Sequence, residues 1–93
     1  MKVIVVGSGR VGEILTKHII EEGHDVVVID SSPFAIESVT NKYDCNGIVG
    51  NGATSLILKK AGIKSCKLLI AVTQVDEVNL MCSIVAKRLG AKH

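Results

Sequence analysis

Short runs of Val, Ile and Leu alternate along this chain with longer segments whose apolar residues recur every three or four positions. The apolar runs cover Lys2 to Val6, Asp25 to Ile29, Gly47 to Val49 and Lys67 to Val72. Continuous β-branched runs of this length read as strands buried on both faces. The intervening spacing predicts helices from Arg10 to about Glu22, Pro33 to about Thr40, Ser55 to about Ala61 and Asp76 to about Leu89. In the first of these, Val11, Ile14, Leu15, His18 and Ile19 fall on one face, which is expected to meet the core with His18 at its edge. Ser32 is placed to cap the second helix, and Pro33 suits its first position, where the missing N–H costs nothing. Gly23 and Gly90 read as helix stops. Thr73, three residues before Asp76, reads as half of a capping box for the last helix.

Strict alternation of strand and helix implies right-handed crossovers and parallel strands. The junction after the first strand is Gly7-Ser8-Gly9-Arg10-Val11-Gly12, and Asp30 closes the second strand. That order suits a dinucleotide. The first glycine allows a tight turn, the second lets backbone approach a pyrophosphate, and the third lets the helix pack close to the strand. Free N–H groups at the helix start then hold phosphate. The expected class is therefore α/β, a Rossmann-like doubly wound parallel sheet of order 3-2-1-4, ending after the fourth strand–helix unit. Ala91-Lys92-His93 reads as the approach to a fifth strand, so the 93 residues are expected to form one nucleotide-binding domain at the front of a longer polypeptide.

In an open parallel sheet, ligands bind outside the carboxyl ends of the strands where their order reverses. Every such end here is small or polar: Gly7 to Gly12, Asp30-Ser31, Gly50 to Thr54, and Thr73-Gln74. Asp30 is expected to accept from both ribose hydroxyls of an adenosine and to repel a 2′-phosphate, favouring NAD over NADP. Arg10 is either a phosphate-bridging guanidinium or an exposed residue of the first helical turn. Asn51 is either a reader of adenine or ribose or a plain turn residue. The candidate nucleotide-binding set is Gly7, Ser8, Gly9, Arg10, Val11, Gly12, Asp30, Ser31, Asn51, Gly52, Ala53, Thr73, Gln74 and Glu77. No catalytic or metal-ligating residue is singled out.

Composition narrows the function further. Apolar residues make up 47% and aromatics 2%, so the core must be aliphatic. The net charge of +2 comes from scattered basic residues, which implies neither a nucleic-acid groove nor a polybasic membrane patch. Cys45, Cys66 and Cys82 share no metal-ligand or redox spacing and are expected to be reduced thiols. No apolar stretch has membrane-spanning length, so contact with a membrane is expected to run through a partner. In the last helix, Val78, Met81, Cys82, Val85 and Leu89 form one apolar stripe, and Leu80 and Ile84 form a second. Two stripes need cover beyond a small sheet, from the rest of the domain or from another subunit.

Several segments extend the pattern: Glu22-Gly23-His24-Asp25-Val26, Val28-Ile29-Asp30, Val49-Gly50-Asn51-Gly52-Ala53-Thr54 and Ala61-Gly62-Ile63. Leu69-Ile70-Ala71-Val72-Thr73, Asp76-Glu77-Val78-Asn79 and Ala86-Lys87-Arg88-Leu89-Gly90 continue it. With the glycine turn they resemble, over nearly the whole chain, the TrkA N-terminal family, the nucleotide-binding half of RCK (regulator of potassium conductance) domains. The resemblance implies a cytoplasmic regulatory domain, peripheral to the inner membrane, that dimerises on a potassium channel or transporter. It also implies a ligand that is NAD or NADH in some members and ATP or ADP in others. The family's ligand positions fall on Gly7 to Val11, Asp30, Asn51, Gly52, Thr73, Gln74 and Glu77. Two departures stand out. The family usually has an aspartate at Asn51, which bears on ligand charge. The chain also stops before the family's later strands and its C-terminal sensing domain.

The leading expectation is thus a nucleotide-sensing regulatory domain rather than an enzyme. The rivals are the cofactor domain of an NAD-dependent dehydrogenase and a free-standing adenine-nucleotide binder. Against the dehydrogenase, His18 and His24 lie on the wrong sides of the sheet to serve a nicotinamide.

Overall fold

The computed structural model describes residues 1–91 and 93. Its elements in chain order are β1 (Lys2–Val6), α1 (Arg10–Glu21), β2 (Asp25–Asp30), α2 (Pro33–Lys42), β3 (Asn46–Val49), α3 (Ser55–Lys60), β4 (Leu68–Ala71) and α4 (Asp76–Arg88). A 3₁₀ turn at Ile63–Ser65, unforeseen in the sequence, follows α3. The four strands form one sheet of order β3-β2-β1-β4. All pairs are parallel, with Ile4 opposite both Val27 and Leu69. The expected doubly wound topology is the observed one.

Alternation along each strand divides the core into two layers. Ile4, Val6, Val27 and Ile29 face Leu58, Ile63, Cys66, Cys82 and Ala86, which belong to α3, α4 and the segment between them. Val3, Val5, Val26 and Val28 face Ile36 and Val39 of α2, with Ile19 and Ile20 of α1 packed alongside. Burial of each such Val or Ile contributes roughly 1.5–3 kcal/mol, which explains why β1 and β2 tolerate almost no polar residue. The outer strands are less covered. β4 is half-buried throughout, and three of the four residues of β3 are exposed. The expected fifth-strand approach falls partly on Lys92, outside the described residues; beside it, the Leu69 N–H donates to the His93 carbonyl at 2.8 Å.

The local signals at α2 act as expected. The Ala35 N–H donates to Ser32 Oγ at 3.2 Å, and Pro33 opens the helix. Helix α1 differs from expectation. Its buried residues are Gly12 and Thr16, whereas Val11 and Ile14 are exposed and His18 projects into solvent. The physical cause is Gly12, where a Cβ would overlap the Gly7 carbonyl oxygen. Helix and strand approach most closely where both lack side chains, and that contact fixes the phase of α1. Gly12, Thr16, Ile19 and Ile20 therefore point inward, and Val11 and Ile14 rotate away.

In α4, Cys82 and Ala86 are buried, and Leu80, Met81 and Ile84 are exposed. Met81 thus belongs with the outer stripe, not with the inner one expected for it. Burial pushes the Cys82 thiol up to about 11, so it behaves as a small apolar side chain. The Cys45 thiol is raised too, first by burial and then by Asp44. Among the described residues, no helix is long and apolar enough to cross a membrane.

Thr16 is wholly buried, yet its hydroxyl finds no hydrogen-bond partner among the described residues. Thr16→Val keeps the shape and removes an unpaired buried dipole. It is expected to stabilise the fold by about 1 kcal/mol. A thermal melt should register this as a rise of roughly 4–8 °C in Tm.

Candidate nucleotide-binding cleft

Because the strands run side by side in one direction, their carboxyl ends share a rim. A cleft of about 350 Å³ opens there, lined by Val6, Gly7 and Gly9 from the end of β1 and by Ile29, Asp30 and Ser31 from β2. Gly50, Asn51 and Gly52 follow β3, and Val72, Thr73, Gln74, Val75 and Val78 come from β4 and the start of α4.

The three glycines of the turn do different work. Gly7 has φ +110° and packs so tightly that a Cβ would lie 2.9 Å from the backbone of Val72 and Thr73. Gly12 sets the helix against the turn, as described above. At Gly9 a Cβ would meet nothing within 4 Å, so the turn leaves open space where this residue lines the cleft. Gly9 is also the N-cap of α1 and supplies no side-chain cap. The first N–H groups of an α-helix have no intrahelical acceptor, and they carry its partial positive charge. Open space beside uncapped N–H groups fits a phosphate.

Asp30 is engaged within the protein. Its Oδ2 accepts from the Ser8 N–H at 2.7 Å and its Oδ1 from the Ser32 N–H at 2.8 Å. The carboxylate thereby ties the glycine turn to the start of α2. Each oxygen retains a lone pair for a ribose hydroxyl. The Ser8 N–H is committed to Asp30 rather than presented to a phosphate, and Ser8 Oγ is buried without a partner among the described residues.

Asn51 Oδ1 accepts from the Ala53 N–H at 2.8 Å, a side-chain-closed turn that fixes its amide plane. Thr54, rather than Asn51, caps α3 by accepting from the Ile57 N–H at 3.4 Å. The expected capping box at α4 is absent, because Val75 is the N-cap and no side chain caps it. The Thr73 hydroxyl turns instead to Asn79 Oδ1, 2.6 Å away. Asn79 was not among the residues singled out from sequence. Its signals were its place one turn into α4 and its membership of the Asp76-Glu77-Val78-Asn79 segment, neither of which assigned it a partner.

Of the candidate set, Gly7, Gly9, Asp30, Ser31, Asn51, Gly52, Thr73 and Gln74 meet at the cleft. Ser8, Arg10, Val11, Gly12, Ala53 and Glu77 stand outside its lining, and Arg10, Val11 and Glu77 are exposed. The walls of Val6, Ile29, Val72, Val75 and Val78 were missed; Val6, Ile29 and Val72 end apolar runs and Val78 belongs to an apolar stripe, so they looked like core, while Val75 lay in the loop before α4.

The family model of the TrkA-N domain matches residues 3–93. This chain belongs to the TrkA-N family. The TrkA-N chain is 39% identical over 89 residues to the Trk system potassium uptake protein TrkA of Azorhizobium caulinodans. That match takes in 96% of the chain and 19% of the relative, so the chain spans about a fifth of that protein. Among solved structures, it superposes on the TrkA-N domain of inner membrane protein ybaL from Escherichia coli with a TM-score of 0.84. Identity there is 23%, over 96% of this chain and 65% of the other. The Shewanella denitrificans Kef CTD in its AMP-bound form gives a TM-score of 0.82 at 24% identity, over 95% of this chain and 52% of that one. These two likenesses concern the fold.

The glycines separate experimentally. Gly9→Ala is expected to change stability by less than about 1 kcal/mol, because its Cβ enters open space. Gly12→Ala is expected to cost about 3 kcal/mol or to prevent folding, because its Cβ meets backbone. Urea unfolding of both variants checks the pair.

Proposed function

We propose that this TrkA-N chain is a nucleotide-sensing regulatory unit of a longer protein serving potassium uptake, with NAD or NADH as its ligand. The observation that carries the reading is that the open Gly9 turn and the Asp30 carboxylate line one cleft. Phosphate lies at the uncapped start of α1, and the adenosine ribose lies on Asp30. Asn51 stands nearby with its amide nitrogen free to donate among the described residues.

ATP and ADP are the alternative ligands. Among the described residues, no lysine or arginine lines the cleft to balance a triphosphate, which favours a ligand held mainly by backbone N–H groups. Sensing is favoured over turnover by what lines the site: among the described residues, Asp30 is its one ionisable side chain. His18 lies exposed on α1, and His24 pairs with the Met1 amino group at 3.1 Å, at the amino end of β2. The relatives' names supply the setting. Potassium uptake in one name and an inner membrane protein in another support a membrane potassium transporter as partner; a cytoplasmic position peripheral to the inner membrane rests on the family resemblance alone. NAD and NADH differ by a positive charge on the nicotinamide, and a ligand shifts a regulatory equilibrium only through its differential affinity for the two states.

Calorimetric titration with NADH, NAD, NADP, ATP and ADP tests the reading, with NADH expected to bind more tightly than NADP. Asp30→Ala is expected to weaken NADH and ATP alike by about tenfold or more. It also leaves the Ser8 and Ser32 N–H groups unpaired, at a cost of about 1–3 kcal/mol, so binding is measured well below the melting temperature. Unchanged affinities in that variant would remove the ribose assignment, and no heat with any nucleotide would remove the nucleotide reading.

The exposed Leu80, Met81 and Ile84 support self-association through α4. Light scattering behind a sizing column should give a dimer that Ile84→Glu dissociates. A strict monomer at high concentration contradicts this.

A further inference from the structure

We propose that Asn79 is a positioning residue for the half of a bound dinucleotide that lies over the end of β4, acting through the peptide of Thr73. The proposal rests on the nucleotide reading above and assigns a role outside the cleft's lining.

The Asn79 side chain engages every polar group of Thr73. Its Oδ1 accepts from the Thr73 N–H at 2.9 Å and from the hydroxyl at 2.6 Å, while its Nδ2 donates to the Thr73 carbonyl at 3.0 Å. An amide that takes the N–H and the C=O of one residue imitates a neighbouring β-strand. The Thr73 hydroxyl in turn accepts from the Val75 N–H at 3.2 Å, which draws the next two residues into the same clasp. On the opposite side, Gly7 presses its Cα against Val72 and Thr73, leaving no room for a Cβ. The Thr73 peptide is therefore pinned between the glycine turn and the first turn of α4.

The order of the sheet gives the clasp its function. β1 lies between β2 and β4, so the Asp30 rim and the Thr73–Val75 rim stand on opposite sides of the glycine turn. A mononucleotide seated on Asp30 and the turn ends at its phosphate. A dinucleotide continues across the turn and meets Val72, Thr73, Gln74 and Val75, which line the far side. Asn79 holds that segment in place before the ligand arrives, so its ordering cost is not met on binding. A merely structural role for Asn79 would affect both kinds of ligand alike.

The test is titration of the full chain with AMP and with NADH as probes. In Asn79→Ala, NADH affinity is expected to fall about tenfold, with AMP affinity changing less than about twofold. Equal losses for both probes, or no loss for NADH, overturn the proposal. Should the variant fail to fold, amide hydrogen exchange on the wild-type protein decides. NADH is expected to slow exchange at Gln74 and Val75, and AMP is not; equal protection by the two overturns the proposal. A wild-type protein that binds neither probe overturns the nucleotide reading, and this inference with it.

Discussion

The contact on which the rest depends is the one between Gly12 and the Gly7 carbonyl, where helix α1 meets the turn it springs from with no side chain between them. Packing this close leaves one rotational setting for α1, with Thr16, Ile19 and Ile20 toward the sheet and Val11 and Ile14 away from it. The same setting leaves Gly9 at the mouth of the cleft with empty space beside it. Core packing and the shape of the cleft are thus two results of a single steric constraint. A larger residue at position 12 would disturb both.

Around that contact, the rim of the cleft is held by side chains bonded to backbone. Asp30 joins the glycine turn to the start of α2, Asn51 closes the loop after β3, and Asn79 clasps the loop after β4. Each replaces a backbone partner that a loop cannot otherwise find. Loops fixed in this way present a shaped surface to a ligand at little further entropic cost. The arrangement also means that Asp30 already has a structural task, whatever it does for a ligand. Its affinity effects are therefore interpretable only beside its effect on stability.

Some of the apolar residues that the sheet does not need cluster, while others, such as Phe34 and Leu56, stand apart. Leu80, Met81 and Ile84 form one exposed face of α4, and Val11 and Ile14 form another on α1. These faces lie on opposite layers of the sheet, since α1 packs with α2, and α4 with α3.

Much of this was legible in the chain. Continuous aliphatic runs bounded by glycine and polar residues determined the strands, their parallel pairing and their order, because few arrangements bury strands that are apolar on both faces. Ser32-Pro33 marked the start of α2, and Gly7, Gly9, Asp30, Asn51 and Thr73 marked the cleft, because their chemistry is local. What the tertiary structure alone decided was orientation. The inward face of α1 depended on Gly12 meeting Gly7, not on which residues were largest. The partner of Thr73 was Asn79 rather than Asp76, because the bend of the loop brought that amide within reach. Hydrophobic period identifies an element and its approximate face. The final turn of a helix about its axis is settled by close contacts between residues distant in the chain.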